Sequence, residues 1–337
     1  MKTEMQWDIL QSAVTGCGHE WQGLPCQDRT AALSEGDCHV ISLADGAGSA
    51  RLSHEGAECV AQSMCRYLCR EFDRLYETPH ADSVRAEVMA LLHRRLGALA
   101  VELDCSMQEL ASTLLVAAVK GGRYILLHLG DGLIAFRRYG RMLPGSLPVN
   151  GEYANCTVFT TSTLSGRDMR LIKGELGDIE GFALMSDGSC ASLFDKAEKA
   201  PAPVLGWLMD LCTYLPAHLV ECGLQESMEN EVRMVTEDDC SLAILARRQP
   251  DFCGLATLSR AVLMRLIGLP ATSPQSRRRL RVYLRILAAL ARPRHLRSVQ
   301  QEVHQKRSHL LKKLVFLLRC RLVEKLADGR YVTRARL

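Results

Sequence analysis

Three times in this 337-residue chain an apolar, strand-like run ends in Asp-Gly: VISLADG at Asp45-Gly46, YILLHLGDG at Asp131-Gly132 and FALMSDG at Asp187-Gly188. Asp238-Asp239 precedes a fourth such run, SLAIL. Carboxylates at strand ends are how a fold builds an oxygen-rich cage for hard divalent cations. Glycine beside them lets the backbone turn sharply and lets a ligand approach its carbonyl. A single Asp-Gly is more often a hairpin turn, and Asp328-Gly329, between VEKLA and RYVTR, is expected to be one. Several copies behind apolar runs favour the cage.

With 47% apolar and 5% aromatic residues, a chain of this length can bury one large core and a smaller second one. No stretch approaches the ~20 uninterrupted apolar residues of a membrane span. The start, MKTEMQWDIL, lacks a signal peptide's basic head, long apolar middle and cleavage site, so a cytoplasmic protein is expected. The 14 cysteines are scattered, with no CxxC pair and no zinc-site spacing, and read as buried reduced thiols. The net charge of +4 conceals a division. Residues 1–253 hold 22 Lys+Arg against 35 Asp+Glu, net −13, whereas residues 254–337 hold 20 against 3, net +17. Two modules with different partners are implied, the acidic one suited to metal and the basic one to a polyanion or an acidic protein face.

Along the chain, strands are expected at 7–15 and 39–44, separated by a loop, GCGHEWQGLPCQDR. Apolar residues recurring at three and four predict helices over 53–76 and 83–102. Further strands are expected at 112–120, 123–129, 133–138, 156–161, 169–174, 181–185 and 241–246, with a helix over 204–222 despite Pro216. This order is not the strict alternation of a doubly wound sheet. It fits an α+β antiparallel sandwich with helices packed outside.

Six motifs, CQDR at 26–29, ADGAGS at 44–49, ASTLL at 111–115, GDG at 130–132, SDG at 186–188 and EDDCSLAIL at 237–245, occur in the order and rough spacing of the metal-dependent protein phosphatases of the 2C type. Residues 1 to about 247 resemble that family, and PCQD, ADGAGS and GEYANCTVF at 151–159 look like its bacterial subgroup. The resemblance implies an αββα sandwich of two antiparallel sheets flanked by helices, with a binuclear Mn²⁺/Mg²⁺ site at one end. It implies that Asp45 bridges the two ions, that the Gly46 carbonyl contacts one, and that Asp28, Asp187 and Asp238 complete the cage directly or through water. Asp131, with Asp187, matches the position that holds a weaker third ion. Asp239 is read as supporting the ligands from behind, and a register in which Asp239 is the ligand stays open. Two such ions lower the pKa of a shared water and offset phosphoryl charge, so no covalent intermediate is needed.

The chain departs from the family at Gly23, where many members place a phosphate-gripping arginine. His19, Arg29 or Arg51 can substitute; His19 is favoured because a histidine can donate to phosphate or protonate the leaving alkoxide, against a purely structural loop role. Ala47 stands where many relatives have His, as in the bacterial subgroup. His54, His93 and His128 read as structural, Cys65 and Cys69 as packing residues, and Ser112-Thr113 as support for the site.

Residues 278–292, 296–303 and 308–320 read as three helices, followed by two strands about Asp328-Gly329. Helix, helix, helix, hairpin resembles a winged-helix domain, in which Lys306, Arg307, Lys312, Lys313 and Arg319 lie on or beside the third helix and Arg330 in the wing. Such residues serve DNA phosphates or dock on an acidic protein. The expected organisation is a catalytic domain at 1–253, a helical linker at 254–278 and a basic module at 279–337. The expected activity is hydrolysis of phosphoserine and phosphothreonine in proteins, with a Ser/Thr kinase or its targets as substrate. The alternatives are an inactive phosphoprotein-binding regulator of the same fold, and a DNA-binding regulator acting through the C-terminal module.

Overall fold

A computed structural model describes residues 6–148, 157–162, 165–215, 217–247, 260, 263–264, 269, 273–319 and 322–333. The chain divides into two compact units, Met1–Met209 with Glu221–Arg248, and Asp210–Val220 with Gln249–Leu337.

The first unit holds two five-stranded antiparallel sheets. One is ordered β2 (Arg29–Glu35), β3 (Cys38–Ala44), β4 (Leu114–Lys120), β5 (Arg123–Leu129) and β8 (Arg170–Glu175). The other is ordered β1 (Trp7–Val14), β12 (Cys240–Arg247), β9 (Ile179–Met185), β6 (Leu133–Arg138) and β7 (Arg141–Ser146). Side chains alternate across a strand, and here both faces of the central strands are buried. In β4, Leu115, Ala117 and Val119 enter the core between the sheets, where they meet Ile41, Phe182 and Leu245. Leu114, Val116 and Ala118 face the opposite way, into the core under helices α2 (Ser53–Glu77) and α3 (Ala81–Glu102). That two-sided burial is why the strand reads as an unbroken apolar run. Helix α2 answers with Val60, Met64, Leu68, Phe72 and Leu75, one face of a helical period.

On the second sheet's side, the first unit holds residues 203–209 of α6 (Pro203–Tyr214) and residues 221–227 of α7 (Ala217–Ser227). Arg137 Nη1 donates to the Gly206 carbonyl at 3.1 Å, and Ser12 Oγ donates to Gln225 Oε1 at 2.6 Å. The unit is therefore an αββα sandwich in an α+β fold, as expected.

Antiparallel register gathers the motif ends. Arg29 pairs with Ala44, so the residue before β2 lies beside the residue after β3. Leu242 and Leu133 both pair with Met185, so the approaches to β12 and β6 lie beside the exit of β9. Leu114 pairs with Leu129, which brings the exit of β5 to the same end of its sheet as the start of β4.

Several elements differ from expectation. The loop before Asp28 contains a short helix, α1 (Cys17–Gln22), closed by Gly23 at φ 67. Strand β2, unannounced because RTAALSE lacks clean alternation, is a sheet edge with mostly half-exposed residues. Strand β7 carries Pro144 and also lies at an edge, where a missing N–H is tolerated. Residues 157–162 form a turn-like segment rather than a strand, followed by a short helix, α4 (Ser165–Asp168). Asp187-Gly188 opens a helix, α5 (Asp187–Leu193), and a two-residue ribbon, β10 (Phe194–Asp195) with β11 (Ala200–Pro201), comes after it. One helix over 204–222 is instead two, on either side of Pro216, which itself lies outside the described residues.

In the second unit, helices Pro274–Ala289, Leu296–Val303 and Arg307–Arg319 precede a hairpin of β13 (Val323–Lys325) and β14 (Tyr331–Thr333). Asp328-Gly329 is the hairpin turn, with Gly329 at φ 82. The expected boundary at 278 falls inside the first of these helices, whose start is set by Pro274 and by Ser273, its side chain accepting from the Gln275 N–H at 3.2 Å. Leu280, Ile286, Val299, Leu310, Leu314 and Leu317 form the buried face, and Tyr283 stacks on Phe316 at 5.1 Å. Most of the expected helical linker at 254–278 lies outside the described residues.

Candidate metal centre

Asp45 follows β3, Asp131 lies between β5 and β6, and Asp187 follows β9. Each offers a carboxylate oxygen, and the three oxygens lie within 4.8 Å of one another. They line a cleft of about 520 Å³ together with Gly18, His19, Gly46 and Asp238. Its floor is tied down through backbone. The Thr113 N–H donates to the Asp45 carbonyl at 2.8 Å and the Asp45 N–H donates back to Thr113 Oγ1 at 3.0 Å. The glycines serve close approach here more than turning. A Cβ on Gly46 would stand 2.8 Å from the Ser53 side chain, and one on Gly188 would stand 2.1 Å from the Asp239 carbonyl oxygen.

Like charge crowded out of water must be neutralised or protonated. Burial pushes the Asp45 carboxyl well above its usual range, and repulsion from Asp28, Asp187, Asp238 and Asp131 adds to it. Burial likewise raises Asp28 to about 7; the Ser241 and Ser186 hydroxyls lower it part of the way, while Asp239 and Asp187 raise it further. Neither Asp28 oxygen accepts a well-formed hydrogen bond. Asp187 is raised by burial and then by Asp238 and Asp131. An all-oxygen set of mutually repelling carboxylates, one of them buried and unsatisfied, fits hard divalent cations.

The remaining sequence candidates fall into four groups. Asp28 is buried beside the cluster and Asp238 lines the cleft, though neither belongs to the group of three mutually close oxygens. Asp239 is turned away from the three: Oδ1 accepts from the Gly16 N–H at 2.7 Å, Oδ2 accepts from the Gln27 N–H at 2.5 Å, and His19 Nδ1 lies 3.0 Å from Oδ2. It fastens α1 and the segment bearing Asp28. His19 lines the cleft, whereas Arg29 and Arg51 are engaged with Glu58 and Glu109. Lys306, Arg307, Lys312 and Arg319 are exposed in the second unit, Lys313 Nζ donates to Gln305 at 3.1 Å, and Arg330 pairs with Asp328 at 2.6 Å.

Sequence reasoning missed Thr157, whose hydroxyl donates to Asp131 Oδ2 at 2.5 Å, and the cleft residues Gln22 and Glu237. Nothing in the pattern marks a lone Thr as a partner of an aspartate 26 residues away. His128 is structural: it lies buried between Ser146 Oγ at 2.7 Å and the Gly130 carbonyl at 3.1 Å, steadying the loop that carries Asp131. Every described cysteine is an unbridged thiol.

Residues 15–230 match the sequence profile of protein phosphatase 2C. The chain belongs to the protein phosphatase 2C family. Asp238 and Asp239 lie beyond the end of that match. Over 163 residues the chain is 28% identical to serine/threonine-protein phosphatase 3 of Escherichia coli (strain K12), a stretch covering 47% of this chain and 64% of that relative. The serine/threonine phosphatase Stp1 from Staphylococcus aureus superposes on 73% of this chain and 97% of its own, with a TM-score of 0.51 at 14% identity. A sex determining protein of C. elegans covers 72% of this chain and 65% of its own, with a TM-score of 0.51 at 13% identity. The two structures share the fold of the 2C-type sandwich.

Proposed function

We propose that this 2C-family chain is a metal-dependent protein serine/threonine phosphatase. The observation that carries the reading is the convergence of Asp45, Asp131 and Asp187 in an open cleft, on motifs 86 and 56 residues apart in the chain. In this reading Asp45, Asp187, Asp28 and Asp238, with the Gly46 carbonyl, hold two ions, Mn²⁺ or Mg²⁺, and Asp131 with Asp187 holds a weaker third. Bound there, the ions supply a nucleophilic water at neutral pH and offset charge on the phosphoryl oxygens. His19 Nδ1 lies 3.0 Å from Asp239 Oδ2 without a well-formed hydrogen bond, and Nε2 is the atom that donates to the phosphate or protonates the departing serine or threonine alkoxide. Thr157 orients Asp131 through its hydroxyl.

Purified protein is expected to hydrolyse p-nitrophenyl phosphate and a phosphothreonine peptide with added Mn²⁺; full activity in excess chelator refutes the mechanism. Tight Mn²⁺ binding in calorimetry without turnover would favour an inactive phosphoprotein-binding regulator instead. The physiological substrate is read as a phosphoprotein, a Ser/Thr kinase or its targets. No helix among the described residues is long and apolar enough to cross a membrane.

For the second unit, three helices and a hairpin bearing exposed Lys306, Arg307, Lys312 and Arg319 support a winged-helix-like module that contacts DNA phosphates or an acidic protein. A retarded band on nonspecific duplex DNA that disappears in Lys312→Glu/Lys313→Glu supports the DNA reading. Absence of binding at low salt ends it.

A further inference from the structure

Beside the carboxylate cleft lies a second groove of about 410 Å³ that shares Asp131 and Asp187 with it. Leu133, Leu147 and Phe194 give it apolar walls, and Lys196 and Lys199 also line it. A segment of the phosphorylated protein that enters the cleft has this groove as its continuation.

The two lysines are presented by a built turn. Asp195 Oδ1 accepts from the Ala197 and Glu198 N–H groups at 2.9 and 3.0 Å, and Phe194 and Asp195 pair with Pro201 and Ala200. Asp195 therefore spends its carboxylate on the turn, and Glu198 is not among the groove-lining residues. Lys199 holds φ at 50, a left-handed conformation that is strained for any residue with a Cβ other than Asn or Asp. Among the described residues no carboxylate pairs with either lysine. Burial, reinforced by Asp187, holds the nearby Cys190 thiol up at about 12 although the Lys196 ammonium lowers it, so the thiol adds no anion to the groove, whose carboxylates are Asp131 and Asp187 at its border with the cleft.

These cations run against the sign of their surroundings, since residues 1–253 carry a net charge of −13. That background repels acidic ligands everywhere except where local cations reverse it. Resting on the phosphatase reading, we infer that Lys196 and Lys199 form a specificity subsite that selects phosphoprotein segments with Asp or Glu close to the phosphorylated residue, the apolar walls taking an adjoining aliphatic side chain. The subsite reads the flank of the substrate and leaves the phosphoryl group to the carboxylate cleft.

The test compares the full chain with Lys196→Glu/Lys199→Glu on p-nitrophenyl phosphate and on three phosphothreonine peptides of one length, with acidic, amide or basic flanks, in Mn²⁺. Both substitutions lie on an exposed turn, and thermal melts check that the fold is kept. The wild type is expected to show a kcat/KM about fivefold higher for the acidic peptide than for the amide peptide at low salt, shrinking as salt screens exposed charges. In the double variant the ratio of acidic-peptide to p-nitrophenyl phosphate kcat/KM is expected to fall by about the same factor. Normal turnover of p-nitrophenyl phosphate without an acidic preference in the wild type overturns the inference alone. An equal loss on p-nitrophenyl phosphate and peptides in the variant also overturns it, placing the lysines on the phosphoryl group itself. No Mn²⁺-dependent turnover of any substrate by the wild type overturns the inference together with the phosphatase reading beneath it.

Discussion

Asp45 and Asp239 carry the same carboxylate a short distance apart, and their surroundings give them opposite parts. Two backbone N–H groups and His19 converge on Asp239, whereas Asp45 faces other carboxylates and is pushed toward its neutral form. Asp45→Asn is therefore expected to lower Mn²⁺-dependent kcat by on the order of 10²–10³-fold, the usual cost of losing a directed electrostatic partner. In chelator its melting temperature should match or exceed that of the wild type, because a buried repelling charge is gone. Asp239→Asn should do the reverse in the melt. An amide can accept through only one atom, so Gly16 or Gln27 is left with an unpaired N–H, at a cost of about 1–3 kcal/mol in denaturant unfolding. The Asp-Gly pattern pointed to the three aspartates that come together, but adjacent Asp238 and Asp239 read alike along the chain. Only the direction each side chain takes separates them.

Among the elements, α5 is held against the start of β12 by proximity that only glycine allows. Gly188→Ala would place a methyl carbon where the Asp239 carbonyl oxygen stands 2.1 Å away, backbone that cannot give way like a flexible side chain. Separation of α5 from β12 is expected to cost about 1–3 kcal/mol by urea titration and to weaken Mn²⁺ binding through Asp187, which begins α5. An unchanged midpoint and unchanged Mn²⁺ affinity would show that the contact is not restrictive. The strands with two buried faces were readable because burial on both sides demands apolar residues throughout, as in β4. Edge strands β2 and β7 were not, since one open side relaxes the pattern. Helix α5 was missed because its seven residues, DGSCASL, are too few to display a period.

Across the whole molecule, the crowded carboxylates couple stability to pH and to metal. Asp28 has a folded-state pKa of about 7 against an ordinary value near 3.8, so between those values the folded chain binds more protons than the unfolded one. Stability of the metal-free protein from this source is present at low pH and is lost as pH rises toward and through 7. Melts in chelator are expected at a higher temperature at pH 6 than at pH 8, and the rise produced by Mn²⁺ should be larger at pH 8, where protons no longer compete for the oxygens. A Mn²⁺ shift that is smaller at pH 8 would contradict a carboxylate cage. Composition and pattern alone determined the α+β sandwich, the division into an acidic and a basic part, and the motifs from which the site is drawn, because these depend on which residues occur and at what period. Tertiary structure decided which carboxylates meet, which one is spent on backbone N–H groups, and that Lys196 and Lys199 stand beside the cleft. Those outcomes depend on strand register and on side-chain direction, and neither is written in the order of residues along the chain.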